Sequence, residues 1–181
     1  MEEIEVPTEH LHEEIQEKAE EQKEKWMLFV ALSTALMAVL AAVSGLLAGH
    51  HANEALIERV KASDQWSFYQ SKNLKQEIAI NTDVILHTLG NKQDTAIKDH
   101  QADIARYDKE KAEIKKSAEE AEKLSEEHLG KHVPLATAVT AFQIAIAISA
   151  IAILTRRKRL WYAGLGLTAI GIVFFIIGVL P

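Results

Sequence analysis

The sequence predicts an all-α membrane protein with three transmembrane helices and a long antiparallel helical hairpin, packed like a coiled coil, between the first and the second. Two observations predict this fold. Three long stretches contain no Asp, Glu, Lys, Arg or His, while nearly all the charges lie before or between them. The charged segment between the first two stretches has apolar residues at helical spacing, and Gly90 with Asn91 interrupts it near its middle.

Each uncharged stretch is long enough to cross a bilayer. A hydrocarbon core of about 30 Å needs roughly 20 apolar residues at helical rise. Lipid offers no partner for a free backbone amide, so these stretches are predicted to be helical. We assign the transmembrane helices to residues 26–49, 133–155 and 160–181.

The acidic N-terminal arm, residues 1–25, precedes the first span. Its position makes that span an uncleaved anchor rather than a signal peptide. The arm is predicted to be helical from Thr8 onward and solvated, because a helix lying on a membrane favours Lys and Arg over Glu. The absence of cysteine excludes disulfides and thiolate chemistry. The net charge of −6 argues against a nucleic-acid partner.

A run of four basic residues predicts the topology. Arg156, Arg157, Lys158 and Arg159 fill the connection between the second and third spans, and short loops rich in Lys and Arg stay cytoplasmic. This orientation places the N-terminal arm in the cytoplasm and the segment 50–132 in the periplasm or outside the cell.

The segment 50–132 is interpreted as two antiparallel helices. Leu74, Ile78, Ile85 and Leu89 recur at the spacing of a packed helix face, and Asp94 or Thr95 can cap the second helix. The second helix has two heptad seams, Ile97, Ile104 and Ala118 beside Tyr107, Ile114 and Ala121. His100 and Lys111 interrupt them. A hairpin with so thin a core is marginally stable alone, so packing against copies of itself is expected.

Small residues in the spans suit close helix packing. Gly164, Gly171 and Gly178 repeat every seven residues in the third span, and Gly45 with Gly49 forms a GxxxG pattern in the first. Two interpretations stay open: these residues join subunits of a homo-oligomer, or they pack the three spans within one subunit.

The run from Ala62 to Lys72, which contains Trp66, Phe68 and Tyr69, resembles the signature of a bacterial membrane family known as domain of unknown function 4337. The stretch Phe142 to Ala145 ahead of the basic residues is also similar to that family, and the resemblance covers about residues 15–181. It implies a three-span fold and a bacterial inner-membrane location. It implies no activity.

The aromatic cluster also has a physical interpretation. On a helix, Trp66 and Tyr69 share one side while Phe68 points elsewhere, so two surfaces receive aromatic side chains. Packing within the subunit, contact between subunits and binding of a partner all remain open. A membrane-interface role would require the helix to fold back near Ser63.

Histidines suggest one chemical site. His50 and His51 begin the first helix of the hairpin, Glu54 lies one turn later, and His128 and His132 lie near the end of the second helix. An antiparallel hairpin brings these ends together, where imidazoles and a carboxylate could bind Zn²⁺ or another divalent ion. Solvated or hydrogen-bonded histidines are the alternative. A second, weaker pairing joins His87 and His100.

Two classes of function are compared, and a membrane protein that binds metal through the histidines at the hairpin base is a third, weaker alternative. A homo-oligomeric structural or interaction component that presents a helical stalk is preferred, and a pore formed by the oligomer is the alternative, with Gln143 as either an interhelical bond or a pore-lining residue. The spans contain no ionisable residue, which disfavours a transporter. No catalytic motif or phosphate-binding Gly loop is present in the sequence, so we expect a protein that is not an enzyme.

Overall fold

The structure of the chain is a computed structural model. It describes residues 8–88 and 94–180, with side chains described for residues 25–88 and 101–180. The described residues form three α-helices and no strand. Helix α1 spans Thr8–Thr88, α2 spans Asp94–Thr155 and α3 spans Lys158–Val179. The all-helical prediction is confirmed for this part of the chain.

Helix α1 runs for 81 residues without interruption. It does not fold back at Ser63, whose carbonyl accepts a hydrogen bond from Ser67 Oγ at 2.9 Å, so a role of the aromatic cluster that depends on that fold-back is excluded. The helix begins at Thr8, as predicted. The predicted stop at Gly90 and Asn91 lies outside the described residues.

Two compact units make up the chain. One comprises Met1–Ala48 with Val133–Pro181, and the other comprises Gly49–His132. We call them the apolar unit and the polar unit. By length and composition, α1, α2 and α3 are each long and apolar enough to cross a membrane, which fits the predicted membrane protein.

In the apolar unit, α3 packs on α2 through the predicted glycines. Gly164, Gly171 and Gly178 are buried. A β-carbon at Gly171 would lie 2.7 Å from Cε1 of Phe142, and one at Gly178 would lie 2.6 Å from Cγ of Leu135. The facing surface of α2 repeats every seven residues, because Ala138, Ala145 and Ala152 are fully buried there. These glycines therefore pack helices within one chain.

The polar unit has a narrow seam made mostly of small residues. Its buried side chains are Ala55, Ala62, Gln76 and Ala79 from α1 and Ile114, Ala118, Ala121 and Ser125 from α2. Three of these, Ile114, Ala118 and Ala121, were predicted from the heptad pattern. Alanine in both helices lets the two backbones approach closely enough for Ser125 Oγ to donate to the carbonyl of Ala55 at 2.8 Å.

The apolar stripe predicted for the packed face of α1 is not in this seam. Leu74, Ile78 and Ile85 are each 57–59% exposed. The expectation that they form the packed face is wrong, because the positions of α1 that are buried in the seam are Ala55, Ala62, Gln76 and Ala79. Leu89 lies outside the described side chains.

The connection between α2 and α3 is shorter than predicted. Thr155 ends α2 and Lys158 begins α3, so only Arg156 and Arg157 lie between the helices. Lys158 and Arg159 belong to the first turn of α3. Arg156 has φ of 54°, in the left-handed region that glycine usually occupies.

Candidate interaction surface

An exposed stripe of apolar residues on α1 lies outside the seam of the polar unit. We define it as Ile57, Val60, Leu74, Ile78 and Ile85, each 47–59% exposed. These positions belong to one register with alternating steps of three and four residues, which runs through Asp64, Ser67, Ser71 and Asn81. That register is the pattern of a coiled-coil face. Soluble helices usually place such residues against another surface.

The aromatic cluster divides between two surfaces, as its spacing predicts. Trp66 donates its indole N–H to Glu122 Oε1 at 3.0 Å, and its ring meets Tyr69 edge-on with centroids 5.7 Å apart. Both side chains therefore serve contacts within the chain. Phe68 is 49% exposed and has the Lys72 ammonium 5.2 Å from its ring centroid. Phe68 adds aromatic surface outside the seam.

Polar bonds link α1 to α2 along the rest of the seam. Gln76 Nε2 donates to Asp108 Oδ1 at 2.7 Å and to the carbonyl of Ile104 at 3.2 Å. Lys111, which interrupts the predicted stripe, donates to Asn73 Oδ1 at 2.9 Å. As residue numbers rise along α1 from Ala55 to Gln76, those of the α2 partners fall from Ser125 to Asp108. The register is thus set by hydrogen bonds as well as by alanine packing.

One ion pair joins the two helices. Lys72 Nζ lies 2.6 Å from Glu110 Oε2, and Arg106 Nε lies 3.6 Å from Glu110 Oε1. The hydrogen bond from Lys72 lowers the pKa of the Glu110 carboxyl, and the nearby positive charges of Lys72, Arg106 and Lys75 lower it further. The carboxylate is therefore held in its charged form.

Two of the four predicted histidines meet directly. Nδ1 of His51 lies 3.0 Å from Nδ1 of His128, so one ring donates and the other accepts. His50 stacks beside His51 with ring centroids 5.4 Å apart. Partial burial lowers the pKa of the His51 imidazole, and the charges of His128, His50, Lys131 and His132 lower it further. The His51 ring therefore favours its neutral state.

The predicted metal site is not assembled as a cluster in the described part of the chain. Among residues 25–88 and 101–180, no group of three or more His, Cys, Asp or Glu side chains converges on one point. His51 and His128 come together, while Glu54 is not drawn into a common ligand set with them. The side chain of His100, proposed to pair with His87, lies outside the described residues.

The small residues of the first span behave differently from those of the third. A β-carbon at Gly45 would lie 3.8 Å from Cγ2 of Val139, an ordinary contact distance. Gly49 has no atom within 4 Å of that position. Gly49 is therefore open to a neighbour, unlike Gly164, Gly171 and Gly178 of α3.

Gln143 lies on the exposed surface of α2 within a span-forming stretch. No hydrogen bond joins its amide to another described residue. An amide without a partner is costly in hydrocarbon, so this position calls for a polar contact from outside the single chain.

Sequence reasoning missed the polar residues of the seam. Gln76 and Ser125 are buried, and Glu122 accepts the indole bond of Trp66. A heptad pattern in the sequence could have identified this seam. On α1 it consists of Ala55, Ala62, Tyr69 and Gln76, and on α2 of Ile104, Lys111, Ala118 and Ser125. Small and polar residues at a heptad interval therefore identify this seam better than large aliphatic residues do.

Comparison with known proteins yields a family and no closer relative. The family described as Domain of unknown function (DUF4337) matches residues 26–181. No curated protein and no solved structure matches the chain. The matched range includes all of the polar unit and the apolar, span-length stretches of all three helices.

Proposed function

The chain belongs to the family described as Domain of unknown function (DUF4337), and from this premise we propose that it is a homo-oligomeric structural or interaction component of a bacterial inner membrane. In this proposal the apolar unit anchors each copy in the bilayer. The polar unit is an antiparallel helical hairpin that forms a stalk outside the cytoplasm. The stalk presents a surface to partners and performs no chemistry.

The observation that carries this proposal is the exposed stripe of α1. Complete burial of a Leu or Ile side chain contributes about 1.5–3 kcal/mol relative to leaving it exposed. The five apolar side chains of the stripe are about half exposed, so in a single copy they contribute only part of the free energy that complete burial would provide. The alanine seam is narrow, so a second hydrophobic interface adds stability that the hairpin lacks alone.

A second copy of this chain is the occupant that fits the stripe. Copies anchored in one membrane by the same spans are parallel, so each heptad position of α1 faces the same position of its neighbour across a twofold axis. Ile57 with Val60 and Leu74 with Ile78 are spaced three and four residues apart, as that arrangement requires, and Asn81 within the register can fix the alignment.

Gln143 supports the same assembly within the bilayer. Its amide lies on the outer surface of one apolar unit and has no hydrogen-bond partner in the described residues. Amide groups commonly bond between transmembrane helices, where each bond contributes about 0.6–2 kcal/mol. A twofold neighbour would supply a second amide at the same depth.

The orientation of the proposed stalk follows from the basic residues Arg156–Arg159 and the short turn on which they lie. A cytoplasmic turn places the polar unit in the periplasm. Protease added to right-side-out vesicles is expected to digest the polar unit without lysis. Digestion only after lysis would reverse the orientation.

Mass measurement of purified protein in mild detergent, with lipid retained, tests the oligomer. The wild type is expected to be an oligomer, and Leu74→Glu with Ile78→Glu is expected to dissociate it, because two buried carboxylates per copy would be unpaired. Ser117→Glu, at an exposed position of α2, is the matched control for added charge. A monomeric wild type would refute the proposal.

A pore formed by the oligomer is the second candidate, and exposed Gln143 favours it too, because an amide can line a narrow polar path. The two candidates differ in conductance. Planar bilayer recording from intact oligomers is expected to show no reproducible single-channel steps for a structural component. Steps that change conductance in a Gln143→Leu variant would establish the pore instead.

A further inference from the structure

The turn between α2 and α3 concentrates positive charge, and none of the side chains described in its unit is negative. Arg156, Arg157, Lys158 and Arg159 are all exposed. The described side chains of the apolar unit, residues 25–48 and 133–180, include no Asp or Glu. None of the four turn residues forms an ion pair with another described residue. Four cations this close repel one another, so an external anion would stabilise the turn.

The backbone of the turn gives a further reason to assign it a ligand. The amide of Arg157 donates to the carbonyl of Ala152 at 3.2 Å, and that of Arg156 donates to Ile153 at 3.2 Å. This is the Schellman arrangement that ends many helices, and its left-handed position usually holds glycine. Arg156 occupies that position with φ of 54°. A left-handed backbone is unfavourable for an L-residue such as arginine, and glycine would avoid this cost.

A buried polar group without a partner lies beside the same turn. Trp26 is 9% exposed, and its indole Nε1 has no hydrogen-bond partner in the described residues. The ammonium of Lys158 lies 5.9 Å from the centroid of the Trp26 ring. A donor N–H and a lysine ammonium are both suited to an anionic oxygen.

The aromatic side chains beside this turn are of the types found at the depth of lipid head groups. Trp161 and Tyr162 stack with centroids 5.2 Å apart directly after the basic residues, and Trp26 lies against Lys158. Trp and Tyr are enriched at the boundary between hydrocarbon and water. A cavity of about 570 Å³, lined by Arg157, Lys158 and Arg159, opens at this level.

We propose that the α2–α3 turn, with Arg156, Arg157, Lys158 and Arg159, is a phosphate-binding site for the head group of an anionic phospholipid. The guanidinium groups bind phosphate oxygens through paired N–H donors, and the acyl chains lie along the apolar surface of the spans. This site is independent of the exposed stripe and of subunit number. It lies in the apolar unit and binds lipid whichever side of the membrane the turn faces.

Native mass spectrometry of the purified full-length protein in detergent tests the site, because retained lipids are counted directly and membrane orientation has no influence. The protein is titrated with phosphatidylglycerol and, separately, with phosphatidylcholine. We expect preferential retention of phosphatidylglycerol. Each cation removed is expected to weaken it about fivefold, since a basic residue near an anionic surface contributes roughly 1 kcal/mol.

Two variants separate binding from folding. Arg157→Ala with Arg159→Ala is expected to abolish the preference for phosphatidylglycerol. Arg156→Gly is expected to weaken lipid retention while raising the thermal unfolding temperature, because it relaxes the left-handed backbone. Lys116→Ala in the polar unit is the control for a lost charge. If the first variant retains phosphatidylglycerol as well as the wild type does, the proposal is overturned. The same result is expected if the acidic N-terminal arm, rather than lipid, binds the turn.

Inorganic phosphate distinguishes the two sources of the ligand. Millimolar phosphate is expected to leave the bound phosphatidylglycerol in place, because the lipid also gains acyl-chain contacts. Displacement of the lipid by phosphate at that concentration would assign the turn to a soluble phosphate compound and overturn the lipid assignment.

Discussion

Ser125 donates its hydroxyl hydrogen to the backbone carbonyl of Ala55 at 2.8 Å, which joins α1 and α2 within the polar unit. Both residues are buried. A side chain as short as serine can reach the backbone of the facing helix only where the helices pack through alanine. This contact explains why the large aliphatic residues of α1 lie outside the seam.

Substitution of a buried seam alanine is expected to destabilise the polar unit. Ala118 is fully buried, so Ala118→Leu forces the helices apart and costs about 1–3 kcal/mol. Ala112→Leu makes the same change at an exposed position of α2 and is expected to be nearly neutral. Hydrogen-exchange mass spectrometry of the full-length protein, on peptides from residues 49–88, measures the loss of protection. Equal effects of the two variants would contradict the seam.

The glycines of α3 differ in a way that a pair of alanine substitutions can measure. A β-carbon at Gly171 would lie 2.7 Å from Cε1 of Phe142, whereas one at Gly166 would meet no atom within 4 Å. Gly171→Ala is expected to cost on the order of 1–3 kcal/mol. Gly166→Ala is expected to stabilise by up to about 1 kcal/mol through helix propensity.

Thermal unfolding in detergent measures both changes. A Phe142→Leu background is expected to reduce the cost of Gly171→Ala, because the leucine side chain is smaller than the ring that the new methyl group meets. If Gly171→Ala is as well tolerated as Gly166→Ala, the packing of α3 on α2 is wrong.

Acid is expected to loosen the polar unit at the histidine pair. The pKa of His51 is lowered in the folded chain, chiefly by partial burial and then by His128, so the unfolded chain binds the proton more tightly. Stability is therefore complete above the unfolded value of about 6.5 and is lost as the pH falls from there towards the folded pKa.

Ring NMR titration of the full-length protein measures this pKa directly. His128→Gln is expected to raise the pKa of His51 and reduce the acid loss of hydrogen-exchange protection in residues 49–56. His87→Gln, at an exposed position near the other end of α1, is the control. A His51 that titrates at or above its ordinary value would contradict the pairing.

The sequence was sufficient to predict helices that are long and apolar enough to cross a membrane, because an uncharged stretch of span length has few alternatives in a chain otherwise rich in charge. The heptad positions Ile114, Ala118 and Ala121 were also predicted correctly as buried. Both predictions rest on a pattern within one segment of the sequence: an uncharged stretch of span length, or a heptad repeat. Neither depends on which residues of another helix pack against that segment.

The partner surfaces could not be predicted from local patterns. Leu74, Ile78 and Ile85 have the spacing of a packed face, but spacing does not tell which of two surfaces a face meets. The heptad glycines Gly164, Gly171 and Gly178 suited two interfaces equally until Leu135 and Phe142 were seen against them. The contact between His51 and His128 could not be predicted either, because it depends on the register of α1 against α2. Gln76 and Ser125 help to set that register.

Disulfide cross-linking at Ile78 tests the proposed dimerisation of the stalk. The chain contains no cysteine, so a single Ile78→Cys substitution gives only links between copies. Lys116→Cys, at a highly exposed position of α2, is the control for random collision. Mild oxidation in proteoliposomes is expected to link Ile78→Cys into dimers well before Lys116→Cys. Equal or slower linking at position 78 would contradict the assembly through the exposed stripe.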